Sequence, residues 1–186
     1  MKLTGLKRMF SAFGKEKIDK THKNAVYFAP MKTATIQELK QELQATSQTK
    51  LLDLCLRLAK FKKENKELLT FLLFEAHDEE SYINSVKGLI DEGFTELPKS
   101  TSYLTKKGLR KILRITNRYI KYTGSKQAET ALLIYFCTKM KNSGIKYQRS
   151  TMLNNIYEQQ LKKIKSALQK LHEDLQFDYQ QQLDEL

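Results

Sequence analysis

Residues 103–122 carry seven cations, Lys106, Lys107, Arg110, Lys111, Arg114, Arg118 and Lys121, and not one acid. Wound as an α-helix at about 100° per residue, all seven fall inside an arc of about 140°. Leu104, Leu109, Ile112, Leu113, Ile115, Tyr119 and Ile120 take the other side. Such a stretch must bury one face and hold a wholly basic face outward, so the remaining chain has to supply an apolar surface for it to pack on.

The rest of the sequence supplies that surface as helices. Two prolines and seven glycines punctuate 186 residues rich in Leu, Lys, Glu and Gln, a composition that favours long helices over turn-rich sheets. The expected fold is all-α: about seven helices in antiparallel hairpins, forming an irregular bundle or short α-solenoid with a long C-terminal helix. Helix pairs of similar size recur, but no residue pattern repeats.

Local signals place these helices. Thr35 and Glu38 make a capping box for a helix over about 36–45. A second helix from about 49 is surrounded by Leu51, Leu52, Leu54, Cys55, Leu56, Leu58, Ala59 and Phe61, with Asp53, Arg57 and Lys60 as one narrow polar stripe. A helix apolar on most sides is expected at the centre of a fold, so 49–77 is read as the apolar core. A charged turn at 62–67 leads to Leu68, Leu69, Phe71, Leu72, Leu73, Phe74 and Ala76, read as a buried helix.

Asp78 is placed to cap a fourth helix, with Glu79 and Glu80 in its first turn and Gly93 as its stop. Pro98 and the serines and threonine after it mark a loop, with a hinge near 97–101 as one reading. The basic helix spans about 102–122 and closes at Gly124; Ser125 caps its successor, which 142–144 end. The short 124–125 connection makes the two helices antiparallel neighbours. From 151 onward there is no strong breaker. Tyr157, Leu161, Ile164, Leu168, Leu171 and Leu175 follow heptad spacing, so one long helix is expected, with a frayed or projecting end at 176–186 or a homodimer formed through 157–175.

A single helical domain is therefore expected over 35–175, preceded by a basic, disordered tail at 1–34. Leu3, Leu6, Met9, Phe10 and Phe13 give the tail a weak amphipathic pattern for a membrane surface, which Gly5 and Gly14 oppose. Translation from Met31 is an alternative start. No apolar run approaches the ~20 residues of a membrane span, and no secretory signal pattern opens the sequence. Cys55 and Cys137 form no metal-like pair and are expected as buried, reduced thiols in a cytoplasmic protein.

The formal charge of +12 is uneven: +5 over 1–30, −2 over 31–100, +11 over 101–149 and −2 over 150–186. Cations four apart on the basic helix, at 106/110, 107/111, 110/114 and 114/118, each cost about 0.2–0.5 kcal/mol by repulsion, so stability alone does not account for them. Nucleic-acid phosphates or another polyanion would relieve that repulsion without reading sequence. Lys126, Lys139, Lys141, Lys146 and Arg149 would widen the patch, and Tyr122 and Tyr147 would offer stacking faces. The alternatives are an acidic protein partner for a helical interaction scaffold, or a face neutralised by acids such as Glu75, Asp78, Glu79, Glu80, Asp91 or Glu92.

No helix-turn-helix, zinc-finger or RNA-recognition signature is present. Glu75, His77, Asp78, Glu79 and Glu80 have the residue types of a metal or acid–base site, but a capped helix start accounts for them. His22 and His172 have no evident partner for chemistry. Phosphate-loop, nucleophile-elbow and dinucleotide-binding motifs are missing as well, so binding without a cofactor or metal is expected rather than catalysis.

Overall fold

The computed structural model describes residues 33–186, and the expectations for the N-terminal tail and for a start at Met31 concern residues outside them. Among the described residues the secondary structure is all helical. The chain divides into two units, Met1–Thr46 and Ser47–Leu186. In the first, α1 (Ile36–Gln44) opens with the anticipated capping box: Glu38 N–H donates to Thr35 Oγ1, and Thr35 N–H donates to the Glu38 carboxylate at 2.7 Å. Its Ile36, Leu39 and Leu43 are exposed.

The second unit contains α2 (Gln48–Phe61), α3 (Lys63–Thr70), a π-helical turn (Phe71–Glu75), α4 (Glu79–Thr95), α5 (Ser102–Thr123), α6 (Lys126–Asn142), a short 3-10 turn (Tyr147–Arg149), α7 (Thr151–Leu168) and α8 (Glu173–Asp184). The central helix is α6, which packs against α4, α5, α7 and α8. Its residues 131–137 are an uninterrupted apolar run, and two turns of such residues point in every direction, so the helix needs neighbours all round. Leu132, Leu133, Phe136, Cys137 and Met140 are fully buried there.

The core is therefore not at 49–77. Leu52, Leu54, Leu56 and Leu58 of α2 are exposed, as are Leu72, Leu73 and Phe74, and Phe71 is the one residue of that stretch with a buried side chain. Helix α2 packs principally on α3. The charged segment after it is no turn: Lys62 alone leaves helical geometry (φ −141°, ψ 145°), and α3 starts at once. Phe71 anchors this arm, its ring 4.5 Å from that of Tyr82 on α4. Cys55 is likewise exposed rather than buried.

Caps read from the sequence recur in three dimensions. Asp78 accepts from Ser81 N–H at 2.9 Å, Ser125 accepts from Ala128 N–H at 3.2 Å, and Gly124 closes α5 in the left-handed region (φ 64°). Each side-chain cap contributes about 1 kcal/mol. Gly93 is different. It lies inside α4, and a Cβ there would stand 2.7 Å from Ile112 Cγ1. The glycine lets α4 approach α5; it does not end the helix. The same holds at Gly108 of α5, where a Cβ would collide with Leu97.

The C-terminal region has its long helix, α7, yet it stops at Leu168 with neither proline nor glycine to stop it. The chain turns over 169–172, and α8 packs on α6 and α7. Leu183 is buried, Tyr157 Oη donates to the Leu186 carbonyl at 3.0 Å, and Lys141 donates to the Glu185 carbonyl. Residues 176–186 are thus packed, not frayed. Burial of apolar surface overrides the local preference for one unbroken ~35-residue helix, whose far end would have nothing to cover it. The heptad positions Tyr157, Ile164 and Leu168 are buried, and Leu161, Leu171 and Leu175 half-buried, by the chain itself. That face is not free for a second copy, which corrects the homodimer expected through 157–175.

Candidate polyanion-binding face on helix α5

Helix α5 is positioned by its apolar side. Leu109, Ile112, Leu113, Thr116 and Ile120 are buried, and Thr116 returns its hydroxyl to the Ile112 carbonyl at 3.0 Å, so its polar atom is satisfied within the core. Each neighbour contributes to this seat: α4 through Gly93 and Ile112, α6 through the two-residue connection at 124–125, and α7.

The seven cations separate into three groups. Lys107, Arg110, Lys111, Arg114 and Lys121 are exposed, and among the described residues none has a carboxylate within ion-pair distance. They extend over about 21 Å of helix. Lys106 is half-buried, with Nζ 3.5 Å from Met152 Sδ. Arg118 serves the fold instead. Its Nε lies 3.4 Å from Glu67 Oε2, its Nη1 lies 3.9 Å from Glu64 Oε1, and its guanidinium stacks 5.4 Å over the Tyr119 ring.

Glu67 also accepts from Tyr122 Oη at 2.9 Å. Burial, then the Glu67 carboxylate, pushes the Tyr122 phenol up to about 12. Arg118, Glu67 and Tyr122 together fasten α3 to α5. Among the described residues, the acids that pair with the basic helix are therefore Glu64 and Glu67. None of Glu75, Asp78, Glu79, Glu80, Asp91 and Glu92 pairs with it; Asp91 instead pairs with Lys139 at 2.8 Å and accepts from Tyr135 Oη at 2.8 Å.

That pairing also narrows the wider patch. Lys139 is held by Asp91, Lys126 by Glu129 and Lys141 by the Glu185 carbonyl, whereas Lys146 and Arg149 are exposed without an acid partner among the described residues. The proposed stacking faces are corrected outright. Tyr122 and Tyr147 are buried, the latter against Tyr157 with ring centroids 4.7 Å apart.

An exposed aromatic stands near the start of α5. Tyr103 is 69% exposed. Its position on the helix lies within about 20° of Arg110, Arg114 and Lys121. The signal was available: Tyr103 is one and two turns before Lys107 and Arg110, where an apolar-face residue does not belong.

Beside the cations a groove of about 720 Å³ runs between α4 and α5. Leu89, Leu104 and Ile115 line it, with Lys107, Lys111 and Arg114 on the α5 edge and Glu92 and Glu96 on the α4 edge. In the suspected acid–base cluster, Asp78 is a helix cap and His77 is exposed. Among the described residues no three His, Cys, Asp or Glu side chains gather as metal ligands, and no helix is long and apolar enough to cross a membrane. Comparison with protein-family models, curated proteins and solved structures returned no match to the chain.

Proposed function

We propose that this chain is a non-catalytic helical binding module whose α5 face engages nucleic-acid phosphates, or another polyanion, without reading sequence. One observation carries the reading: Lys107, Arg110, Lys111, Arg114 and Lys121 stand exposed on one face with no carboxylate partner among the described residues. Repulsion between such neighbours falls when phosphates replace water and counterions around them. Tyr103 in the same stripe adds a ring on which an unpaired base can stack. The setting is the cytoplasm, where Cys55 and Cys137 would remain free thiols.

The test is fluorescence anisotropy of single-stranded and duplex DNA and RNA across salt concentration. Five engaged cations give a slope of log K against log salt of about −4.5 on duplex DNA and about −3.5 on single strands. A Tyr103→Ala chain should lose affinity for single strands and keep it for duplex. Binding that ignores salt would refute the reading.

A second reading, a helical scaffold for an acidic protein, is favoured by the apolar groove that borders Lys107, Lys111 and Arg114. It calls for tighter binding to acidic amphipathic peptides than to nucleic acid in the same titration.

A further inference from the structure

The groove between α4 and α5 carries opposite charges on its two edges that its own walls leave unmatched. Gly93 lies against Ile112 and Gly108 against Leu97, so the two segments run antiparallel. That register sets Glu92 level with the stretch between Lys111 and Arg114, and Glu96 level with the stretch between Lys107 and Lys111. All five side chains are exposed, and among the described residues no acid of the one edge lies within ion-pair distance of a cation of the other. The lining of the groove includes Leu89 and Leu104, each more than a third exposed. No residue of α6 lines it, so the helix that buries this pair from one side leaves the groove open.

We propose that the groove receives an amphipathic helix of a partner protein, one whose apolar stripe is bordered by acids on one flank and by bases on the other. The proposal rests on the scaffold reading and narrows it: the partner is charge-split rather than acidic.

The two edges dictate the split. A guest with acids on both flanks would meet Lys107, Lys111 and Arg114 favourably but would set carboxylates against Glu92 and Glu96, and like charges across an interface reject a partner. A phosphate backbone laid in the groove meets the same repulsion. Bases on both flanks fail at the α5 edge.

The walls select a helix. Backbone groups of α4 and α5 are bonded within their own helices, so an extended guest would lay unpaired N–H and C=O groups against apolar side chains, whereas a helix satisfies its own. Glu92 and Glu96 are one turn apart, and Lys107, Lys111 and Arg114 follow at steps of four and three. A guest helix laid along the groove repeats its side chains at those same steps. On α5 the lining extends from Leu104 to Tyr119, about 22 Å, which gives room for about four turns. Because the flanks differ, they also fix the direction in which the guest runs.

The experiment titrates the full chain into three labelled peptides of about four helical turns, matched in helicity and read by fluorescence anisotropy at low salt. All share one leucine stripe. The first has glutamates on one flank and lysines on the other, the second glutamates on both, the third lysines on both. The charge-split peptide should bind about tenfold tighter than either uniform one. Glu92→Lys/Glu96→Lys should change the order, so that the all-glutamate peptide binds tightest. Leu89→Asp/Leu104→Asp should abolish binding of the charge-split peptide with an unchanged far-UV circular dichroism spectrum.

If none of the peptides binds, the proposal and the scaffold reading fall together. If the all-glutamate peptide binds wild type tightest, the scaffold reading stands and the charge-split partner is wrong. Equal affinities, or an order that Glu92→Lys/Glu96→Lys leaves unchanged, also overturn the proposal, because the edges then select nothing. Should the substituted chains fail to fold, the ranking on the wild-type chain decides alone.

Discussion

Replacing Gly88 or Gly93 by alanine makes one chemical change at two places on α4, and the structure assigns the two opposite signs. Gly88 is exposed, and a Cβ there meets nothing within 4 Å. Alanine gains the helix propensity that glycine lacks, about 0.5–1 kcal/mol. The same gain applies at Gly93, but its Cβ would stand 2.7 Å from Cγ1 and 3.2 Å from Cδ1 of Ile112. Ile112 is buried and β-branched, with one preferred rotamer in a helix, so it cannot swing away; α4 and α5 must part instead.

Overpacking of this kind costs about 1–3 kcal/mol, which after the propensity gain leaves a net loss centred on about 1 kcal/mol and reaching about 2.5 kcal/mol. At about 2–4 °C per kcal/mol for a chain of this size, Gly88→Ala should raise Tm by about 2 °C and Gly93→Ala lower it by several degrees. Thermal and urea unfolding followed by far-UV circular dichroism measures both. If Gly93→Ala stabilises the chain as much as Gly88→Ala does, the close approach of α4 to α5 is wrong, and so is the seat of the basic helix.

Three further outcomes are expected. Glu64→Gln/Glu67→Gln releases Arg118, so the chain should be less stable to urea while its salt slope on duplex DNA steepens by about 0.9, one phosphate more. Burial raises Asp91, but hydrogen bonds from Lys139 and Tyr135 outweigh it and hold the carboxyl below its ordinary range; the hydrogen bonds that Lys139 donates to Asp91 and Tyr135 hold the ammonium above its own. This contact therefore stabilises the fold fully above about pH 4 and below about pH 10.4, fading as acid passes the folded value of Asp91 or base that of Lys139. Asp91→Asn should flatten the acid limb of stability against pH. Burial pushes the Cys137 thiol up to about 12, so in a Cys55→Ser chain iodoacetamide should label nothing until the protein unfolds.

What could be read from the sequence was what short range decides. Thr35 with Glu38, Asp78, Ser125 and Gly124 act on backbone groups within a turn, and each does what its residue type predicts. The basic and apolar faces of α5 follow from periodicity alone. The core was misplaced because hydrophobicity states a need for burial without naming the neighbour that meets it. Residues 51–61 and 131–137 are both leucine-rich, yet the polar stripe of Asp53, Arg57 and Lys60 marks a helix with an outside. The 131–137 run has none. Gly93 reads as a stop because glycine serves both as helix end and as a gap for a neighbouring side chain, and only Ile112, nineteen positions away, distinguishes them. The same limit hid Arg118, whose partners Glu64 and Glu67 lie on another helix, and the turn between α7 and α8, which the burial of Leu183 holds in place.

The most direct test of the central claim compares two charge reversals that change the formal net charge of +12 by the same amount. One, Lys107→Glu/Arg110→Glu/Arg114→Glu, falls on the exposed face of α5; the other, Lys50→Glu/Arg57→Glu/Lys60→Glu, falls on exposed cations of α2. Anisotropy with a short nucleic-acid duplex at low salt, on chains shown to be folded, should give no binding for the α5 triple and near wild-type affinity for the α2 triple. Equal losses in both would mean that net charge alone attracts the polyanion and that the α5 face is not its site.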